Sequence, residues 1–230
     1  MTTRLRIVVQ ASPSTGDHEV RLFSDEEDLI EVFGDKSLGL DPTDLLVSPC
    51  ALFVESSREV QIARCECGVI GCDDVYVNVA CEADVVTWSA PGEPAVRRSF
   101  ELSTYRAEVE RALGDHSWET RERTAERLLP ALVDREALAR LGLKLSWASG
   151  RAAPGAFTVA LWLEPGPYQV LVRFPLEDGA SARDLAQFGA ALVRTAPDTW
   201  PDVEWLPQSH GLPVPPLAGP GWRRFALATG

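Results

Sequence analysis

Three cysteines fall within eight residues of this chain, as Cys65, Cys67 and Cys72 in the segment C-E-C-G-V-I-G-C. Two cysteines separated by one residue project to the same side of an extended strand, because side chains alternate between its faces. The two glycines before the third cysteine permit a tight turn. The spacing therefore predicts a hairpin that gathers three thiol groups on one side, as in a metal site or a redox pair.

The hairpin is expected to span residues 58–81, with its turn at 68–71. A register that pairs Cys67 with Cys72 across this four-residue turn places the three cysteines on the more polar face, since pairing fixes which side chains share a face. The opposite face carries the apolar residues Val60, Ile62, Val75, Val77, Val79 and Cys81. We expect this second face to pack against the core, with Cys81 as an unreactive thiol.

Structural zinc sites use four ligands, most often cysteine or histidine. Cys65, Cys67 and Cys72 supply three, and Cys50, which precedes an expected strand, is the best candidate for the fourth. His116 is the second candidate, and the others are His18, His210, Asp73 and Asp74. The sequence predicts zinc held by three local cysteines and Cys50. Free thiols and a redox pair are the alternatives, and an open fourth position holding water would favour catalysis.

The composition is that of an ordinary globular chain, with 45% hydrophobic and 24% charged residues among 230. This length suits one large domain or two small ones. No run of 18 apolar residues predicts a membrane span. The apolar run near the N-terminus is too short for a signal peptide, so we expect a cytoplasmic protein. Reducing conditions there disfavour a disulfide framework for the five cysteines.

The negative charge is concentrated in the first half of the chain. The net charge is −12, and residues 1–115 hold 22 acidic and 10 basic side chains, whereas residues 116–230 hold 12 of each. Such a surface repels nucleic acids and anionic membranes. It suits a basic protein partner, because complementary charge steers association.

Strands are expected mainly as hairpins, with helices between groups of strands, which favours an α+β fold with antiparallel sheets. The predicted helix starts are Ser24, Ser103, Asp134 and Ser181, with Pro130 breaking or kinking a helix over residues 119–133. Residues 164–167 predict a hairpin turn. The pattern is compatible with two similar lobes, an acidic one at 1–115 and one at 116–230 with a proline-rich tail, or with a single packed domain.

The cysteine segment and its flanks resemble uncharacterised hypothetical proteins of actinobacteria. Those proteins carry a C-x-C-G-x-x-G-C hairpin preceded by L-D-P-x-x-L-L, which here occupies residues 40–46. The resemblance continues through the strand containing Trp88, the aromatic Phe100 and the helix bearing Tyr105, and it covers about residues 38–113. It implies a shared fold and carries no activity, because none is established for such proteins.

Common catalytic and nucleotide-binding motifs are absent from the sequence. It contains no G-x-G-x-x-G, G-x-x-x-x-G-K-[ST], H-E-x-x-H or G-x-S-x-G. We therefore expect a non-catalytic binding protein, for example an immunity-type inhibitor of a basic protein. The alternative is a metal-dependent or thiol-based enzyme that uses Cys65, Cys67 and Cys72.

Overall fold

Hairpins of alternating apolar residues account for most of the architecture, as expected from their pattern. The computed structural model describes residues 2–13, 17–34, 37–65, 67, 71–164, 168–209 and 211–225. Within these ranges, 13 strands form three mostly antiparallel sheets, and six α-helices accompany them. This content confirms the α+β class. The chain divides into two compact units, Met1–Trp118 and Glu119–Gly230. The division falls three residues after the predicted boundary at residue 115.

The first unit contains two antiparallel sheets, each with its strands in chain order. The first sheet is made of β1 (Leu5–Ala11), β2 (His18–Ser24) and β3 (Glu27–Asp28). The second is made of β4 (Leu38–Gly39), β5 (Arg58–Arg64), β6 (Val75–Glu82), β7 (Val85–Ala90) and β8 (Glu93–Glu101). The helices are α1 (Leu29–Gly34), α2 (Pro42–Leu45) and α3 (Leu102–Gly114).

An aromatic cluster joins α3 to the second sheet of the first unit. The rings of Trp88 and Phe100 meet edge-on with centroids 5.9 Å apart, and Tyr105 lies 6.4 Å from Trp88. All three side chains are buried. The Tyr105 hydroxyl donates a hydrogen bond of 2.9 Å to the Leu52 carbonyl, so its polar end is satisfied inside the core.

The helix α3 also protects an edge of the first sheet. Within the described sheets, the strand β1 pairs only with β2, which leaves outward-facing backbone groups on its other side. The Ile7 N–H donates to Glu108 Oε1, and the Ile7 carbonyl accepts from Arg111 Nη2, both at 2.6 Å. The same two side chains are bonded to each other. They therefore take the place of a neighbouring strand at Ile7.

The second unit is built on one five-stranded sheet in the order β9–β10–β11–β12–β13. Its strands are β9 (Leu143–Ala153), β10 (Ala156–Leu163), β11 (Tyr168–Pro175), β12 (Asp202–Pro207) and β13 (Trp222–Arg224). Its helices are α4 (Arg121–Leu132), α5 (Arg135–Arg140) and α6 (Ala182–Leu192). All neighbouring strands are antiparallel except β12 and β13. No helix in the described part of the chain is both long enough and apolar enough to cross a membrane.

Capping and close packing shape the helices of the second unit. Ser181 caps α6 in a reciprocal capping box with Asp184, as the sequence predicts for that start. A Cβ atom on Gly189 would lie 2.8 Å from Leu129 Cδ1, so glycine lets α6 approach α4 closely. Pro130 does not break α4, which continues to Leu132 although a proline at this position donates no hydrogen bond to the carbonyl four residues earlier.

Two predicted helix starts in the first unit are wrong. Ser24 ends β2 instead of capping a helix, and Asp25, with φ of 54°, forms the tight turn into β3. The helix α1 begins only at Leu29, where Asp28 Oδ1 accepts from the Ile30 N–H at 2.9 Å. At α3 the cap is Glu101 instead of Ser103. In both places an acidic side chain reaches free helix N–H groups better than the predicted serine does.

The Glu101 cap makes stability depend on pH. Its carboxylate accepts from the Ser103 hydroxyl at 2.7 Å and from the backbone N–H groups of Thr104 and Ser103 at 2.9 Å each. These bonds, led by the Ser103 hydroxyl, lower the pKa of Glu101 from its ordinary value near 4.5 to about 2. A carboxyl group whose pKa is lower in the folded state than in the unfolded state stabilises the fold. This stabilisation is fully present at pH values above the unfolded-state pKa and is lost as the pH falls through the folded-state pKa.

We predict that Glu101→Gln lowers the melting temperature above about pH 5, and that this deficit shrinks as the pH falls from about 4.5 towards 2, because protonated Glu101 loses its advantage over glutamine. Thermal melts of both proteins across this range test the prediction. Glu110→Gln, an exposed position on α3, is the matched control. A deficit that is independent of pH would contradict the role given to the carboxylate.

Candidate metal centre

The cysteines extend from a hairpin whose inner face is buried. In the β5–β6 pair, Val60 and Ile62 of β5 and Val77 and Val79 of β6 are buried in the first unit's core. Arg58 pairs with Val79, whereas the predicted register pairs it with Cys81. The predicted register is therefore wrong by two residues. The predicted core face is nevertheless right for Val60, Ile62, Val77 and Val79, because a shift of two residues keeps a side chain on its face.

The cysteines lie in a loop instead of on the paired strands. The last pair of the ladder is Ala63 with Val75, so residues 65–74 form a ten-residue connection, here called the cysteine loop. The predicted pairing of Cys67 with Cys72 is therefore wrong, because neither residue belongs to the paired strands. A register shift between Gln61 and Ala63 ends the regular pairing early. Of the turn predicted at 68–71, only Gly71 is within the described residues.

Three sulfur atoms converge in the cysteine loop. The Sγ atoms of Cys65, Cys67 and Cys72 all lie within 4.8 Å of one another. Cys65 is partly buried, and the other two are exposed. Cys65 and Cys67 form a disulfide with Cα atoms 5.4 Å apart, while Cys72 carries a free thiol.

Three sulfurs at this spacing can hold a single metal ion when all three are reduced. Zinc–sulfur bonds of about 2.3 Å in a tetrahedral site put neighbouring sulfurs about 3.8 Å apart. The three observed sulfurs, all within 4.8 Å of one another, are close enough for this spacing once the disulfide is reduced. The three cysteines could therefore hold a metal ion as a single local cluster.

The end of the cysteine loop is anchored by an aspartate. The Gly71 N–H donates to Asp74 Oδ2 at 3.0 Å, and the Tyr76 hydroxyl lies 3.5 Å from the same oxygen. Gly71 has φ of 79°, a left-handed conformation that glycine adopts without steric cost. Asp74 thus fixes the residue before Cys72 against the start of β6. The sequence suggested Asp74 as a ligand, whereas the structure gives its carboxylate this anchoring role.

The structure does not bring Cys50 to the three sulfurs. Its side chain is only 4% exposed, lies in the first unit's hydrophobic core, and donates a hydrogen bond of 3.3 Å to the Leu45 carbonyl. The residues around it in sequence, including Leu45 and Leu52, are also buried. Their burial holds Cys50 inside, so the prediction of Cys50 as the fourth ligand has no geometric support.

In the described part of the chain, none of the other candidate ligands belongs to the group of three sulfurs. Among the described residues, the clustered ligand atoms come from Cys65, Cys67 and Cys72 alone, without a histidine or a carboxylate. His210 lies outside the described residues. Cys81 is on β6, partly buried against the core. Once its disulfide is reduced, the local site therefore offers three sulfur ligands and leaves a fourth coordination position for water or a donor from elsewhere.

Comparison with known proteins provides no further assignment. No protein-family model, no curated protein and no solved structure matches this chain. The function is therefore inferred from the geometry and charge of the chain itself.

We predict that Cys50 and Cys72 differ sharply in reactivity. Burial raises the pKa of the Cys50 thiol, so little thiolate forms near neutral pH, while the exposed Cys72 remains accessible. With the protein reduced and any metal removed by a chelator, iodoacetamide should label Cys72 in the native state and Cys50 only after unfolding in urea. Peptide mass spectrometry measures both rates. Equal rates in the native protein would contradict the buried position of Cys50.

Proposed function

We propose that this protein binds a zinc ion through Cys65, Cys67 and Cys72 and acts by binding a partner instead of by catalysis. The observation that supports zinc is the convergence of the three sulfurs within 4.8 Å in one loop. Thiolate ligands in a tetrahedral arrangement favour zinc over magnesium or calcium, which prefer oxygen ligands. In this proposal the disulfide between Cys65 and Cys67 is the oxidised state of the site, and the reduced state binds the ion.

The proposed ion has a structural role in the cysteine loop. Ten residues connect β5 to β6, and the contacts within this connection include those of Asp74 with Gly71 and Tyr76. A metal bound by residues at both ends of the loop would close it, and because the unfolded chain lacks the assembled site, the binding free energy would stabilise the folded unit. We therefore expect zinc to increase the stability of the first unit and to fix the shape of an exposed surface.

The partner in this proposal is a basic protein, and the concrete version is an immunity-type inhibitor in the cytoplasm. The support is the charge of the first half, where 22 acidic side chains outnumber 10 basic ones. Excess negative charge speeds association with a positively charged surface and disfavours nucleic acids and anionic membranes.

A metal-dependent or thiol-based enzyme is the second candidate. It is favoured by the exposure of Cys67 and Cys72, since an accessible ion with three protein ligands could carry a reactive water. Against it, the ligand atoms grouped with these sulfurs include no histidine or carboxylate within the described chain. A proton acceptor next to the reactive water is therefore missing from the local cluster, which makes the structural role the better supported one.

We predict one zinc ion per chain when the untagged protein is purified under reducing conditions with zinc supplied. Cys72→Ser should weaken zinc binding at least about tenfold, because one of three local thiolates is lost. Cys50→Ala and Cys81→Ala should keep the ion, and they are the matched controls. Native mass spectrometry, with a competing chelator, measures both stoichiometry and affinity. Metal-free wild-type protein, or unchanged binding by Cys72→Ser, would refute the zinc site.

We also predict that the partner has a net positive charge and that its binding weakens strongly between low salt and about 1 M salt, where charges are screened within about 3 Å. Affinity capture from the native host, followed by titration with the purified partner, tests this. Reversing exposed acidic residues of the first unit, as in Glu26→Lys with Glu110→Lys, should weaken binding. The matched control, Glu136→Lys with Asp178→Lys in the second unit, should leave binding of the partner unchanged. Binding that ignores salt would contradict an electrostatic interface.

A further inference from the structure

A groove of about 400 Å³ runs beside the first part of β9 in the second unit. Its walls are formed by the end of α4, the helix α5 and residues 142–147. Its apolar lining includes Pro130, Leu138, Leu145 and Trp147. Arg135 and Lys144 also line it, so the groove combines an apolar floor with positive charge.

The strand that borders this groove is at the edge of its sheet. The strand β9 pairs only with β10 in the described sheet. The Glu164 N–H donates to the Gly142 carbonyl at 2.6 Å, which is the bond of a hydrogen-bonded antiparallel position, while the Gly142 N–H donates to the Ala139 carbonyl at 2.9 Å. Hydrogen-bonded and non-hydrogen-bonded pairs alternate along such a ladder. Leu143 and Leu145, opposite Leu163 and Leu161, therefore turn their N–H and C=O groups away from β10.

These outward backbone groups are unpaired only at the start of the strand. No residue of the described chain makes a hydrogen bond with the outward groups of Leu143 or Leu145. Further along, the Gly150 N–H donates to Glu126 Oε1 at 2.8 Å, and a Cβ on Gly150 would lie 2.6 Å from Glu122 Cβ. The helix α4 thus covers the edge at Gly150. Beside the groove, α4 does not cover this edge in the same way, and the lining there includes the partly buried Leu145 and the buried Leu143.

An exposed aromatic ring lies next to this open edge. Trp147 is 38% exposed although it belongs to a strand of the sheet. A tryptophan provides a large apolar contact area at a low entropic cost, and such residues often dominate the energy of protein interfaces. Together with Leu145 and Leu138, it provides an apolar contact for a side chain of a bound segment.

The charge of the groove selects the chemistry of its occupant. Several arginines of this unit are paired with carboxylates, as in Arg127 with Glu119 and Arg173 with Glu204. Arg135 and Lys144 make no ion pair with any residue in the part of the chain that is described. The lining contains one carboxylate, on Glu164, against these two cations. An acidic ligand is favoured even though the whole chain carries a net charge of −12.

We propose that this groove binds an extended, acidic segment of a partner protein, which adds a strand to the open edge of β9. Backbone groups of the segment pair with those of Leu143 and Leu145, acidic side chains face Arg135 and Lys144, and an apolar side chain contacts Trp147. Strand addition of this kind uses main-chain bonds for affinity and side-chain contacts for selectivity. The stretch from Leu143 to Trp147 is about 13 Å long at about 3.3 Å per residue, which matches four or five residues of the segment. This site is independent of the proposed zinc centre.

A displayed library of random nine-residue peptides, selected on the intact wild-type protein, tests the proposal. The selected peptides should be acidic with intervening apolar residues. Arg135→Glu combined with Lys144→Glu should weaken their binding at least about tenfold, since two attractive contacts become repulsive. Arg140→Glu combined with Arg194→Glu makes the same change in net charge outside the groove and should leave binding unchanged. Circular dichroism melts verify that both double variants fold.

Hydrogen exchange separates strand addition from simple charge attraction. Bound peptide should protect the amide protons of Leu143 and Leu145, and a peptide with proline at its central position should bind poorly because proline has no N–H. The proposal is overturned if no peptide is enriched, if enriched peptides are not acidic, or if they bind without protecting these two amides. Equal loss of binding in both double variants would also overturn it.

Discussion

Burial of one face of the β5–β6 hairpin determines where the cysteines can lie. Val60, Ile62, Val77 and Val79 are almost entirely removed from solvent. Burying a side chain of this size stabilises the fold by about 1.5–3 kcal/mol, so turning this face outwards would remove much of the first unit's core. The hairpin must therefore extend its connecting loop away from the core. Cys65, at the near end of that loop, is partly buried, while Cys67 and Cys72 reach solvent.

The same constraint explains what could be predicted from the sequence. Alternating valines determine which face is buried, and this part of the prediction is correct. Alternation does not distinguish two registers that differ by two residues, because both bury the same side chains. The register shift after Gln61 and the length of the cysteine loop depend on contacts that spacing does not reveal, such as the bond between Asp74 and Gly71. The convergence of three sulfurs was predictable because it needs only local chain connectivity.

Other differences arise where packing or an acidic side chain overrides a local preference. The sequence favoured Cys50 as a ligand for its residue type, but the apolar residues on both sides of it bury the thiol. Ser103 is a good helix cap by propensity, but the carboxylate of Glu101 reaches two N–H groups at once. Gly189 weakens a helix by propensity, yet its missing side chain lets α6 lie close to Leu129.

The central claim is that three thiolates of one loop hold one metal ion without Cys50, and cobalt(II) substitution tests it most directly. Titration of the reduced, metal-free protein under anaerobic conditions should give tetrahedral visible bands at one equivalent. The thiolate-to-metal absorption in the near ultraviolet should correspond to three thiolates, unchanged in Cys50→Ala and reduced in Cys72→Ser. An octahedral spectrum without thiolate absorption, or a four-thiolate intensity that falls in Cys50→Ala, would contradict the account.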